Sequence, residues 1–225
     1  MSGASAQDER SVASPDGQLE VRLFVAQPDG ELPHLAYEVR YHGRTIVEPS
    51  LLALHIHNQE PMLGENDGLI ASHHGPSVGP YRSLTADYMQ NGSIGRLINV
   101  EVRVWNDAVA FRYVIPRSTA LEEILIEDDL TEFRVAGGGK PSSLALPAAI
   151  REPGGSWIGI SELPRAGFPR MSLVRDDGVI AAHLERATGD PLVAFEGKSP
   201  LVCPWRMLTI GADRETVLRH TDRGL

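Results

Sequence analysis

Between residues 98 and 116 the chain reads INVEVRVWNDAVAFRYVIP. Ile98, Val100, Val102 and Val104 share one phase of a two-residue period, Asn106-Asp107 interrupts it, and AVAFRYVI resumes it. Side chains alternate across a strand but recur every three to four residues on a helix, so this pattern predicts a hairpin with one buried face. The same period returns along most of the chain. Leu19, Val21, Leu23 and Val25 alternate between SPDG (14–17) and QPDG (27–30), whose Pro and Asp-Gly suit tight turns. Leu35, Tyr37, Val39 and Tyr41 alternate up to His42-Gly43. RTIV (44–47) and EPSLLALHIH (48–57) supply two short β segments, and further strands are expected at 156–162, 171–174, 179–184, 192–196 and 201–210. Helical spacing is confined to the tail, where Asp213 is placed to cap RETVLRH. The fold class expected for these 225 residues is all-β: a mostly antiparallel β-sandwich around one core.

Charge narrows the partners. The chain carries 30 acidic against 21 basic residues, a formal charge of −9, with the carboxylates scattered. Nucleic acid and anionic membrane surfaces want an excess of Lys and Arg, so neither is expected as a partner. No apolar run approaches the roughly 18 to 20 residues of a membrane-spanning helix. The opening MSGASAQDERSVAS has neither the basic nor the apolar segment of a signal peptide, so two expectations stay open: the chain as it stands is cytoplasmic, or its reading frame has lost its true start. A single cysteine, Cys203, excludes an internal disulfide framework.

Most chemistry-bearing residues have an ordinary explanation. His55 and His57 share a strand face, with His73-His74 and Glu60 nearby, but no further ligand set has metal-site spacing. They read as the polar face of a strand and a polar loop. GGGK (137–140) lacks phosphate-loop spacing, and Pro141 opposes the helix such a loop needs. Cys203, between Val202 and Pro204, reads as buried filler. Trp105, Trp157 and Trp205 are default core residues, Trp157 being the one best placed to stack on a sugar. The acidic stretch LEEILIEDDLTEF (121–133) reads as a solvated edge, because neighbouring strand residues point apart and do not form a catalytic carboxylate pair.

Glu162 is different. In SWIGISELPRAGFPRMSL (156–173), Ile158, Ile160 and Glu162 share a face, so a carboxylate continues an apolar row. A buried charge costs several kcal/mol, roughly, unless it is paired or binds something. Periodicity leaves two explanations open: a frayed strand end that lets the side chain reach solvent, or a functional role.

Several stretches together resemble the N-terminal domain of glycoside hydrolase family 97: SPDGQLEVRL, EPSLLAL, VEVRVWNDAVAFRYVIP, DLTEF and SPLVCPWRMLTIG, in the family's order. The resemblance implies a β-supersandwich, related to galactose mutarotase, over residues 14–215. Residues 1–13 are then expected as a disordered tail and 216–225 as the start of a truncated connection to a (β/α)₈ catalytic barrel. The family acts on α-glucosidic or α-galactosidic bonds with bound calcium and is commonly periplasmic. ISEL-PRAGF-PRMSL is similar to the segment that carries the family's one calcium-ligating glutamate from this domain, which puts that role on Glu162. Ser161 stands where a histidine is usual, RVAGGGKPSS (134–143) replaces a Trp-Trp segment, and a strand pair within 81–97 looks shortened. The implied function is a non-catalytic, carbohydrate-associated module that contributes one metal ligand, with Ca2+ held only together with the barrel. Two alternatives stay open: a mutarotase-like sugar enzyme using His55, His57 or His183, and a gene fragment without function.

Overall fold

A computed structural model describes residues 5–27, 30–138, 144–176, 179–186, 192–219 and 223–225. Two sheets carry most of the strands. The smaller has the order β1 (Ser5–Ala13), β2 (Leu19–Gln27), β3 (His34–Tyr41), β4 (Arg44–Leu51). Its hairpins follow the turn chemistry: Tyr41 pairs with Arg44, and His42 and Gly43 between them take φ of 50° and 74°. Positive φ at both positions is what a two-residue hairpin loop requires, and glycine meets it without strain.

The larger sheet is assembled from β7 (Asp67–His74), β8 (Arg82–Gln90), β9 (Leu97–Val104), β10 (Ala108–Ile115), β12 (Ala148–Arg151), β13 (Trp157–Leu163) and β18 (Trp205–Gly211). They lie in the order β12-β13-β18-β10-β9-β8-β7, and short β17 (Leu201–Val202) also pairs with β10. A third sheet has the order β16 (Phe195–Lys198), β11 (Glu123–Asp129), β5 (Leu54–Ile56), β6 (Gln59–Leu63), and β14 (Met171–Asp176) pairs with β15 (Val179–Leu184). All strand pairings are antiparallel. The apolar faces meet in one main core, in which Leu19, Val39, Val100, Ile150 and Ile158 have no exposed surface, and smaller buried clusters around Trp105 and Trp205 and around Phe24 lie apart from it. This is the all-β sandwich the alternation predicts.

The predicted 98–116 hairpin is β9–β10, with Val104 opposite Val109 and Trp105 N–H donating to Ala108 O. Asp213 caps the helix α1 (Arg214–Leu218), accepting from Thr216 N at 2.8 Å. That helix lies on β13 at Gly159, where a Cβ would stand 2.2 Å from Val217 O, so the close approach requires glycine.

Three expectations need correction. The disordered tail over 1–13 does not hold for Ser5–Ala13, which pairs along β2 although its sequence has no apolar period; backbone hydrogen bonding is enough to add an edge strand. The span 81–97 holds no strand pair of its own: it carries one nine-residue strand, β8, whose partners β7 and β9 flank it in the chain. The acidic stretch is not a solvated edge, because β11 lies between β16 and β5 and its last residue, Asp129, is fully buried. Of the GGGK loop, Gly137 takes a left-handed turn conformation with φ 74°, Gly138 follows it, and Gly139 and Lys140 lie outside the described residues.

Candidate functional site

Glu162 does not fray into solvent. Its side chain is 2% exposed, and it lies directly across from Arg206 of β18 on the inward face of the larger sheet. Arg206 is 1% exposed and reaches two carboxylates at once. Its Nη1 donates to Glu162 Oε1 at 3.3 Å and to Pro204 O at 3.2 Å, while Nε and Nη2 both donate to Asp129 Oδ2. Asp129 Oδ1 accepts from Thr131 N at 3.0 Å and Thr131 Oγ1 at 2.6 Å, and that hydroxyl also meets Tyr113 OH at 2.6 Å. Met171 N–H, on the first residue of β14, donates to both oxygens of Glu162, at 3.1 and 3.3 Å.

Four strands therefore converge on one buried network, Asp129–Arg206–Glu162. Burial alone would lower the Arg206 pKa, but the Asp129 and Glu162 carboxylates outweigh it and hold the guanidinium above its ordinary value. Burial pushes the Tyr113 hydroxyl well above its usual range and the neighbouring Cys203 thiol up to about 12. A thiol kept protonated in this way is not a nucleophile, in line with its reading as filler. Two carboxylates against one buried guanidinium leave a surplus negative charge. Arg170 offsets part of it from the rim, with Nε 3.6 Å from Glu162 Oε2 on a side chain that is 61% exposed. Glu162 also lines a cleft of about 240 Å³ together with Ser161, Pro164, Arg170, Leu146 and Pro147.

The histidines form separate groups. His57 Nδ1 lies 2.6 Å from Glu127 Oε1, and His55 Nδ1 lies 3.4 Å from the other Glu127 oxygen, with Glu60 3.5 Å from its Nε2. His183 instead meets Asp128 at 2.5 Å, and His73 and His74 are exposed on β7. Trp105 and Trp205 are buried beneath a layer of arginines, with the Arg112 guanidinium 4.3 Å from the Trp205 ring centre; Trp157 is half-buried. Core packing accounts for Trp105 and Trp205.

The family model for the glycosyl-hydrolase 97 N-terminal domain matches residues 12–141. The chain belongs to that family. Across 228 aligned positions this family 97 N-terminal domain is 25% identical to a probable retaining alpha-galactosidase from Streptomyces bingchenggensis (strain BCW-1), covering 87% of the chain and 34% of that protein. Its fold superposes with a TM-score of 0.76 on a Glycoside Hydrolase Family 97 enzyme from Pseudoalteromonas sp. strain K8 in complex with acarbose, at 19% identity over 91% of this chain and 36% of that one. A beta-arabinopyranosidase gives the same TM-score and identity, over 92% of this chain and 40% of that one. The chain thus spans about a third of the relatives it matches. The matched family segment contains Asp129 but ends before Glu162.

Sequence reasoning singled out Glu162 and missed its partners. Arg206 carried the matching signal: on a period of two it shares a face with Leu208 and Ile210, a cation continuing an apolar row. Asp129 gave no such sign. Counting from Ile124 and Ile126 puts Asp128 inward, but the pairing with β5 slips between Ile126 and Asp128 and turns Asp129 to the core instead.

Among the described residues, no group of three or more His, Cys, Asp or Glu side chains is arranged to hold a metal ion. Calcium takes about six to eight oxygens, so these residues fit it only as contributors of a single carboxylate. For that limited part the chemistry is suitable. Glu162 is a hard oxygen donor at a cleft, beside surplus negative charge, and its rotamer is held by Met171 N–H and Arg206.

Proposed function

We propose that this domain is the non-catalytic part of a calcium-dependent glycosidase, and that Glu162 is its contribution to a metal site completed by a (β/α)₈ catalytic barrel. The observation that supports this most is the surplus carboxylate of the Asp129–Arg206–Glu162 network, buried except toward one cleft. In that role Arg206 and Met171 N–H orient the Glu162 carboxylate, as groups behind a metal ligand commonly do. Arg170, long and mostly exposed, is the side chain that would give way. Bound calcium would supply charge stabilisation to the sugar being cleaved. The relative named a probable retaining alpha-galactosidase makes an α-galactoside the substrate to try first.

The test joins this domain to a family 97 barrel in one polypeptide. Calorimetry should then show calcium binding that Glu162→Gln weakens by roughly tenfold or more, with a parallel loss of aryl α-galactoside hydrolysis that added calcium partly restores. Unchanged calcium affinity in that variant would sink the ligand role. Hydrolysis by the isolated domain would overturn its non-catalytic assignment. The imidazole–carboxylate pair His57–Glu127 carries the competing reading, because an acid and a base in contact could serve sugar anomerisation. Faster mutarotation of galactose by the isolated domain, lost in His57→Ala, would favour that reading over ours.

A further inference from the structure

Glu162 is held from two directions, and both lead back to adjacent residues of β11. One is the contact through Arg206 to Asp129. The other runs through the β14–β15 hairpin, whose open end places Met171 opposite Leu184. Met171 N–H, at that end, is the donor shared by both Glu162 oxygens. Where the open end of the hairpin sits therefore decides whether this N–H meets the carboxylate.

Backbone hydrogen bonds tie the middle of β15 to the segment after β11. Phe133 N donates to Ile180 O and Ala182 N to Thr131 O, both at 2.8 Å, and Glu132 bridges to Ala181 between them. Toward the open end, the Asp128 side chain takes over from the backbone. Its Oδ1 accepts from Leu184 N at 2.8 Å, and its Oδ2 lies 2.5 Å from His183 Nδ1. An ionised carboxylate can only accept, so Nδ1 is the imidazole nitrogen that carries the hydrogen. Oδ1 also accepts from Asp129 N at 2.9 Å, which fixes the carboxylate against its own strand. Such charge-assisted bonds are stronger than neutral ones, and the Asp128 side chain is only 14% exposed.

We propose that Asp128 and His183 are positioning residues for Glu162: they pin the open end of the β14–β15 hairpin to β11, and through Met171 N–H they hold the carboxylate in one orientation. Neighbours on a strand point apart, which lets Asp128 and Asp129 act on Glu162 from different sides. The consequence for a metal rests on the ligand role proposed for Glu162, whereas the grip on Met171 belongs to the domain alone.

The experiment uses the 15N-labelled domain and its fusion to a family 97 barrel. In the domain, hydrogen exchange at the Met171 amide reports its bond to Glu162. His183→Ala should speed that exchange roughly tenfold, about the size of one charge-assisted hydrogen bond. His183→Asn, whose amide nitrogen can take the place of Nδ1, should restore most of the protection. Exchange in β2 and β3 checks that both variants stay folded. In the fusion, calorimetry should show weaker calcium binding in His183→Ala, by less than in Glu162→Gln, and recovery in His183→Asn. Unchanged Met171 exchange in His183→Ala overturns the positioning role whatever calcium does. Calcium affinity unmoved by His183→Ala, in a fusion where Glu162→Gln does lower it, overturns it as well. If Glu162→Gln leaves calcium affinity as it was, the ligand role fails, and Met171 exchange still decides the positioning role.

Discussion

Along the larger sheet, β13 and β18 bury Glu162 and Arg206, whereas β7 and β8 on the other side bury Asp67 and Gln90. In the first cluster each carboxylate oxygen and each guanidinium nitrogen has a partner, some near in the chain, as Thr131 is to Asp129, and some far, as Arg206 is to both carboxylates. In the second, four atoms of three buried side chains, Asp67, Gln90 and Arg96, have none among the described residues. A buried polar group without a partner costs about 1–3 kcal/mol, so the two clusters put opposite demands on the fold. The satisfied network specifies one arrangement of strands. The unsatisfied one works against stability.

Breaking the satisfied network should have the largest effect. Arg206→Leu leaves Asp129 and Glu162 as uncompensated buried charges, and urea denaturation should show a loss of about 3–5 kcal/mol. A loss below about 1 kcal/mol, the size of an exposed pair, would mean that solvent reaches the network.

The next effect separates the clusters by pH. Burial raises the Asp67 pKa from its ordinary 3.8 to about 7, although Gly64 N–H and Arg96 oppose the shift. The folded state then holds a proton that the unfolded chain has lost. Stability from this group is present below about pH 4 and declines as pH rises through about 7, by roughly 1–4 kcal/mol in all. Asp67→Asn should remove that decline and leave the domain more stable than the parent at pH 8. An unchanged pH profile in the variant would place the decline elsewhere.

Glu162→Gln is the smaller perturbation of the first cluster. The amide keeps the shape and can still accept from Met171 N–H, and Arg206 retains Asp129, so a loss of about 1–2 kcal/mol is expected by denaturation. Equality with Arg206→Leu would mean that Glu162, not Asp129, is the principal partner of Arg206. The least effect belongs to Arg170→Ala. That side chain is mostly exposed and its contact with Glu162 is long, so stability should change by less than about 0.5 kcal/mol. A larger loss would make Arg170 part of the network rather than its rim.

The sandwich was legible because its strands alternate. The β9–β10 hairpin, the His42-Gly43 turn and the Asp213 cap are local patterns whose physical requirements appear in adjacent residues. Glu162 was legible by the same logic, as a charge in an apolar row, and Arg206 offered the same signal. β1 was not, because an edge strand with no apolar period is held by backbone pairing that composition does not reveal. Neither was β12, whose four residues are too few to show a period.

The amino-acid sequence by itself determined the periodicity, the turns, the class of fold and the oddity of a carboxylate among isoleucines. Only the tertiary structure decided what that carboxylate meets. A slip in the pairing of β11 with β5 turns Asp129 inward, and long-range strand pairing brings it and Glu162 to Arg206, although the three are separated by dozens of residues. Register between distant strands is set by the packing of the whole core, so no local window of the chain contains it.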